Sequence, residues 1–371
     1  MLIRYLRLRW KVQLFTRLGE FSRHMRRCAR FRSGRRLLRW RDVLNISLAI
    51  TAIYFFCGWF GPPPVTDAGE MPSARLVSVY RHDIGQVVTM DIEEYIKGVV
   101  AAEMPASFSL EALKAQAVAS RTYTIYSILK GTGVPGVAEA AVSTHYGTSQ
   151  AWISEEALRR RYGFLEYYWR WRKISQAVEE TRGLIMTYQN EPILAVYHSD
   201  SGGRTENSEN YWSSPLPYLR SVDDPYSKQP PVVDVRDVSE VLAKVQRIPN
   251  RIKVTSTGGG RSGEAAAAAS GTVAADPLVE VIERYRSGRV KSVRVNDTIV
   301  TGRALREALG LRSNWFDVSV TGSKIRFVQY GYGHGVGMPQ YGADGMAKMG
   351  YGFEEILKYY YRGVELTKWY D

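Results

Sequence analysis

Cysteine is nearly absent from this 371-residue chain, occurring only as Cys28 and Cys57 near the N-terminus. Everything after residue 60 therefore lacks disulfides and thiolate metal ligands, and its stability must come from packing. Acid is also missing, but only locally. Residues 1 to 41 hold 14 of the 50 Lys and Arg and a single acid, Glu20, of the 37. The rest carries 36 of each sign, so the net charge of +13 belongs to a tail and the body is neutral. That excludes the broad basic face expected of a nucleic-acid binder. No repeat at a fixed period is visible, which excludes a solenoid.

Long apolar runs are scarce too, with one exception. The segment VLNISLAITAIYFFCGWF, Val43 to Phe60, carries no charge. As a helix it would span about 27 Å, close to the hydrocarbon thickness of a bilayer. Trp40 and Trp59 sit at its ends, and the basic flank lies on its N-terminal side. This predicts an uncleaved single-pass anchor, with residues 1–42 a cytoplasmic tail and residues 61–371 outside. A cleaved signal peptide is the alternative, but the basic region is overlong for one and no small-x-small cleavage site follows. Residues 61–74, with Pro62, Pro63 and Pro64, read as a stiff linker.

From residue 75 to the C-terminus the pattern changes every 10 to 30 residues or so. ARLVSVYRHDIGQVVTMDI reads as two short strands around Gly85. DIEEYIKGVVAAEM reads as a helix opened by a capping box, Asp91 with Glu94, and stopped by Pro105. A second helix is predicted from about Leu110 to Lys130, capped by Ser109 and ended by Gly131. Residues 153 to 182 look like a further helix rich in Arg, Tyr and Trp. Its Trp169 and Trp171 suit stacking on sugars, although aromatic residues in a helix are more often core. LIMTYQNEPILAVYHS reads as strand, turn at Gln189 to Glu191, and strand. Residues 255–276 are a low-complexity stretch and suggest a surface insertion. Then come a helix at Gly302 to Leu309, a strand through Ile325 to Gln329, the glycine-rich GYGHGVGMPQYGA and a closing helix FEEILKYYY. Strands and helices without a βαβ rhythm predict an α+β domain of mixed helices and short antiparallel sheets forming a cleft.

Two charges stand on apolar helix faces. On a helical wheel Ile92, Tyr95, Ile96, Val99 and Val100 share one face, Glu93, Glu94, Lys97 and Ala101 the other, and Glu103 falls at the centre of the apolar face. Arg121 occupies the centre of the stripe formed by Leu110, Leu113, Ala117, Thr124, Ile125 and Ile128. A carboxylate there is paired or protonated. A Glu103–Arg121 ion pair fixing the helix crossing is one reading. The other makes Glu103 a general acid, its pKa raised by burial and by the helix C-terminus, with Arg121 nearer the substrate or supporting a group that touches it.

The stretches EEYIKGVVAAEMPASFSLEALKAQAVASRTYT, THYGTSQAW, YHSDSGGRTENSENYW, LREALGLRS and GYGHGVGMPQYGADGMAKMGYGFEEILKYYYRGVEL resemble, in that order, the stage II sporulation protein D family. The basic tail with one anchor resembles the family's layout as well. The resemblance implies a lytic transglycosylase that cleaves peptide-stripped peptidoglycan strands during engulfment in sporulation. It implies no cofactor, and as partners the stage II sporulation proteins P, an amidase, and M, a membrane protein. It places the domain outside the mother-cell membrane. The family's catalytic glutamate matches Glu103 in AAEMP. One carboxyl suffices for that chemistry, first protonating the glycosidic oxygen and then accepting the proton of the muramic acid 6-hydroxyl. Arg121, His198, Ser199, Ser201, Gly202, Gly203, Thr205, His334, Gln340 and Tyr341 would line the cleft and bind substrate. His334 is equally readable as a core histidine.

Other chemistries fit less well. The serine near His198 lacks a Gly-x-Ser-x-Gly elbow and an acid partner, which argues against a serine hydrolase. GYGHGVG repeats glycine at every second position, unlike a dinucleotide loop. Pro339 replaces the serine common in the family and removes a backbone donor. Some members hold zinc near THYGTSQAW; here only His145 remains, so no zinc is expected. Related domains also occur in wall proteins that modify amidase activity, so a non-catalytic glycan-binding or amidase-stimulating module is the main alternative.

Overall fold

The computed structural model describes residues 75–253 and 279–371. The expected tail (1–42), membrane span (43–60), linker (61–74) and low-complexity stretch (255–276) lie outside the described residues. Among the described residues no helix is long and apolar enough to cross a membrane. All of them fall within one unit, residues 70–371.

The architecture is α+β, as expected. A hairpin of β1 (Leu76–Arg81) and β2 (Gln86–Asp91) leads directly into α1 (Ile92–Glu103) and then α2 (Leu110–Lys130). The Asp91 carboxylate starts α1 by accepting the N–H groups of Glu93 and Glu94, at 2.8 and 3.3 Å. Glu94 does not close the predicted box but pairs with Lys97 at 2.7 Å. Ser109 makes no side-chain cap on α2; its hydroxyl donates instead to Asp344 at 3.0 Å. Gly131 ends α2 in the left-handed conformation, φ 59°, as a C-terminal glycine commonly does.

β3 (Val142–Ser143) adds to β1 in parallel, and α3 (Glu155–Glu180) follows. The single helix expected over 153 to 182 is broken at Gly163, whose φ of 71° and ψ of 173° are essentially glycine-only. The Tyr167 hydroxyl contacts Glu155, twelve residues away, which about 18 Å of straight helix would forbid. The second arm therefore bends back on the first, a break the composition did not announce.

β4 (Leu184–Tyr188) and β5 (Glu191–Pro192) turn through Gln189 and Asn190, both with positive φ. The second strand expected after this turn is shorter than read, and pairing resumes at β6 (Tyr197–His198), followed by the single turn α4 (Ser208–Tyr211). A second lobe comprises β7 (Val232–Asp237), α5 (Val238–Val245), β8 (Ile252–Lys253), β9 (Val279–Arg284), β10 (Val290–Val295), β11 (Thr298–Thr301), α6 (Gly302–Leu309), β12 (Phe316–Thr321) and β13 (Lys324–Gln329). Its sheets run β8-β11-β10-β9 and β12-β13-β7, all antiparallel. The chain then returns through β14 (Met338–Pro339), α7 (Gln340–Lys348), α8 (Phe353–Tyr360) and β15 (Glu365–Lys368). β15 joins β4, and β14 pairs with β6 in parallel, so two of the small sheets are not purely antiparallel.

Two apolar cores result. One gathers Val99, Leu113, Ile125, Ile356 and Leu357 around α1, α2 and α8. The other holds Val241, Val293, Leu305, Phe316 and Phe327 in the second lobe. Between them runs a buried arginine, Arg289, which donates to the carbonyls of Ser201 and Arg204, each at 2.8 Å. The tight approach needs Gly335, where an added Cβ would lie 2.3 Å from the guanidinium.

Candidate active site

α1 is packed on more than one side, and its wheel misplaces one charge. Glu93, assigned to the polar face, is 1% exposed, while Arg121 is fully buried. They pair bidentately, Arg121 Nε to Oε1 at 3.0 Å and Nη2 to Oε2 at 2.6 Å. Arg121 also donates to the Leu184 carbonyl at 3.0 Å, and Glu93 also accepts from Gly183 N–H at 3.0 Å and the Tyr370 hydroxyl at 2.9 Å. Arg121 is thus neither the partner of Glu103 nor placed for substrate. It clamps α1 and α2 to the start of β4, and both sequence readings of it are corrected.

Among the described residues, no cation pairs with Glu103, the last residue of α1. It is half-buried. Ala151 N–H donates to Oε1 at 2.7 Å, and Gln340 Nε2 lies 3.5 Å from Oε2. Desolvation pushes its carboxyl above the usual carboxylate range, outweighing these two bonds, which favour the ionised form. Neither a cation nor a second carboxylate is among the groups that perturb it.

A neutral polar chain supports this carboxyl from below. Gln340 Nε2 also approaches Gln116 Oε1 at 3.4 Å, and Gln116 donates to Ser120 at 2.9 Å. The Ser120 hydroxyl meets the Tyr197 phenol at 3.4 Å, and Tyr197 donates to Gln150 Oε1 at 2.8 Å. Gln150 in turn donates to Thr124 at 3.2 Å. Burial and the nearby Glu103 charge hold the Tyr197 phenol well above its ordinary pKa, so it stays neutral. Gln116, Ser120 and Gln150 were not singled out from the sequence. Gln116 and Ser120 are spaced i and i+4 on α2, which is the signal that was there to find; Gln150, in the loop before α3, carried none.

The α7 N-terminus orders the rest. Pro339 is in register with His198, and Tyr341 N–H donates to the Ser199 carbonyl at 3.0 Å. The Tyr341 ring packs edge-on against Phe108, centroids 5.0 Å apart. His198, Ser199, Gln340 and Tyr341 are therefore brought together, and of these Gln340 reaches Glu103. The His198 ring lies 5.5 Å from that of His334, which is walled by Tyr211 and Trp212 at 5.5 and 5.2 Å. Burial lowers both histidines, His334 to about 3. Each works as a neutral hydrogen-bonding group.

The polar loop is built differently from its expectation. The Ser201 hydroxyl donates to Asp224 and accepts from Gly203 N–H, and Thr205 Oγ1 accepts from Val222 N–H at 2.8 Å. Both side chains are buried, at 0% and 1% exposure. Their hydroxyls hold the loop and are not offered to a ligand, which corrects their reading as substrate contacts. Gly202, φ 75°, is required because an added Cβ would meet Gly331 N at 2.9 Å, whereas Gly203 faces open space.

A zinc site does not fit the donors present. His145 Nδ1 accepts from Gly147 N–H, its ring stacks on Tyr146, and the His82 ring lies 5.2 Å away. Among the described residues no group of three His, Cys, Asp or Glu is arranged to hold a metal ion.

Against known proteins, the family described as stage II sporulation protein matches residues 80–188, the stretch from β1 to β4 that carries Glu103. Stage II sporulation protein D of Bacillus subtilis (strain 168) is 35% identical over 307 residues, 82% of this chain and 83% of its own. The protein of that name from Bacillus amyloliquefaciens is 35% identical over 292 residues, 79% of this chain and 78% of its own. A Bacillus subtilis protein named amidase enhancer is 31% identical over 314 residues, covering 74% of this chain and 40% of the relative.

Proposed function

The chain belongs to the stage II sporulation protein D family, and we propose that it is a lytic transglycosylase acting on peptide-stripped peptidoglycan during engulfment. One observation carries the reading. Glu103 is a half-buried carboxyl with a raised pKa, bonded by Ala151 and Gln340 and, among the described residues, by no cation.

A carboxyl raised in this way by desolvation is suited to act as general acid toward the glycosidic oxygen of muramic acid. Its conjugate base then takes the proton from the 6-hydroxyl of the same sugar. The 6-oxygen attacks C1, the bond to the departing glucosamine is already broken, and a 1,6-anhydro ring closes without water. A hydrolase would need a second carboxylate about 5 to 9.5 Å from the first, whereas this chemistry needs Glu103 alone. Ser199 and the α7 N-terminus supply hydrogen bonds to sugar hydroxyls and acetamido groups, whereas His198 Nδ1 is held at the Val336 carbonyl and His334 Nδ1 accepts from Val336 N–H.

The uncharged run at residues 43–60 supports a single-pass location with the N-terminus in the cytoplasm and the domain on the outer face of the mother-cell membrane. There it would work with stage II sporulation proteins P and M. The amidase-enhancer relative favours a second reading, a glycan-binding module that stimulates an amidase.

Digestion of peptide-free strands by the purified full chain separates the two. Anhydromuramic ends from the wild type, reduced about 10³-fold in Glu103→Gln, are expected. Absence of cleavage by both, with amidase stimulation unimpaired by the substitution, would replace the first reading by the second.

A further inference from the structure

The bent helix α3 starts beside the candidate acid and returns to the connection between α1 and α2. At its first foot Ala151 N–H bonds Glu103 and Ile153 N–H donates to the Gly98 carbonyl at 3.2 Å. At its second foot Lys173 donates to the Phe108 carbonyl, and the Phe108 ring packs on Tyr341. Between the feet, at Gly163, the two arms meet in a projection held by Tyr167 on Glu155 and by Arg170 over the Tyr162 ring, 4.2 Å to its centroid. An eight-residue arm reaches about 12 Å.

The projection is poorly buried for its composition. Phe164, Leu165, Tyr168 and Trp169 are 63%, 75%, 46% and 64% exposed, an unusual run of large apolar groups. Around them stand Arg159, Arg160, Arg161, Arg170 and Arg172. Arg160 and Arg170 have acidic partners within the projection, Glu156 and Glu166. Among the described residues Arg159, Arg161 and Arg172 form no ion pair, and Arg159 and Arg161 lie over Phe164 and Tyr162.

We propose that this helical projection is an accessory glycan-binding wall, its aromatic faces stacking on sugar rings and its free guanidinium groups pairing with the carboxylates of a peptide-free strand. The proposal rests on the substrate class given above. Removing a stem peptide cuts the lactyl amide of muramic acid and leaves one free carboxylate per disaccharide. A peptide-free strand thus presents apolar sugar faces and regularly spaced negative charge, the complement of exposed Trp, Tyr and unpaired Arg. Attachment at both feet to residues flanking Glu103 aligns the wall with a strand leaving the site.

Binding and cleavage are measured separately to test it. In a Glu103→Gln background, which removes turnover, Trp169→Ala with Phe164→Ala is expected to weaken retention of the full chain on peptide-free strands about tenfold. Arg161→Glu with Arg172→Glu is expected to do the same at low salt, with the difference shrinking at high salt, and to leave binding to neutral chitin oligomers unchanged. In the catalytically intact chain the same pairs raise KM and spare kcat. Unchanged retention and KM in all these variants overturns the wall. Strand binding that depends on the wall, without cleavage, would leave it standing while sinking the transglycosylase reading. The bilayer is tested with the full chain in anionic vesicles, Cys28 and Cys57 replaced by Ser and an environment-sensitive dye placed at Leu165→Cys. The dye is expected to shift on addition of strands; a shift from lipid alone with no response to strands overturns the proposal in favour of membrane contact.

Discussion

Removing Arg121 tests whether its role is structural. Arg121→Met deletes a fully buried guanidinium and strands the Glu93 carboxylate, itself 1% exposed, with only Gly183 N–H and the Tyr370 hydroxyl as donors. Breaking one side of a buried pair costs about 3–5 kcal/mol, a large share of the 5–15 kcal/mol or so that holds a domain together. At about 2–4 °C per kcal/mol for a domain of this size, the midpoint of thermal unfolding falls on the order of 10 °C. The double variant Arg121→Met with Glu93→Leu leaves no buried charge behind and is expected to recover more than half of that loss. Circular dichroism melts of the four proteins give the coupling, and anhydromuramic release below the melting range gives the activity. The reasoning fails if the double variant is as unstable as the singles, or if it is well folded and has lost cleavage, because Arg121 would then be touching substrate.

Other outcomes follow from the same geometry. Cleavage should decline as pH rises through the raised Glu103 pKa, since the acid form is the reactive one; Gln340→Met, which removes a donor to the carboxylate, should move that decline to higher pH in a pH–rate profile. Gly98→Ala places a Cβ 2.1 Å from Trp152 Nε1 and should cost about 1–3 kcal/mol of stability in chemical denaturation. It should also lower activity, because Trp152 adjoins the Ala151 donor. His334 has a depressed folded pKa, about 3. The unfolded chain therefore binds a proton that the folded one refuses, and stability is lost as pH falls below about 6.5 toward 3. Melts of His334→Asn between pH 7 and 4 should show a shallower decline than the wild type.

What the sequence made legible and what it hid divide along a physical line. Helix ends depend on local chemistry, so Asp91, Gly131 and the Gly302–Leu309 segment were readable residue by residue. Glu103 was readable because a charge on an apolar stripe near a helix end has few explanations. The identity of its neighbours was not, because a wheel assumes one buried face. α1 meets other elements on several sides, so Glu93 became the partner of Arg121. Ser201 and Thr205 illustrate the same limit for a loop. Small polar residues satisfy either a ligand or the backbone, and long-range closure onto Val222 and Asp224 decided for the backbone. Taking Arg121 away from Glu103 has a chemical consequence as well. A carboxyl paired to a guanidinium is held ionised, whereas at Glu103 desolvation outweighs the Ala151 and Gln340 bonds and raises the pKa. Glu93 thus takes up the positive charge of Arg121, and the ion pair that closes the helix core is separate from the carboxyl of Glu103.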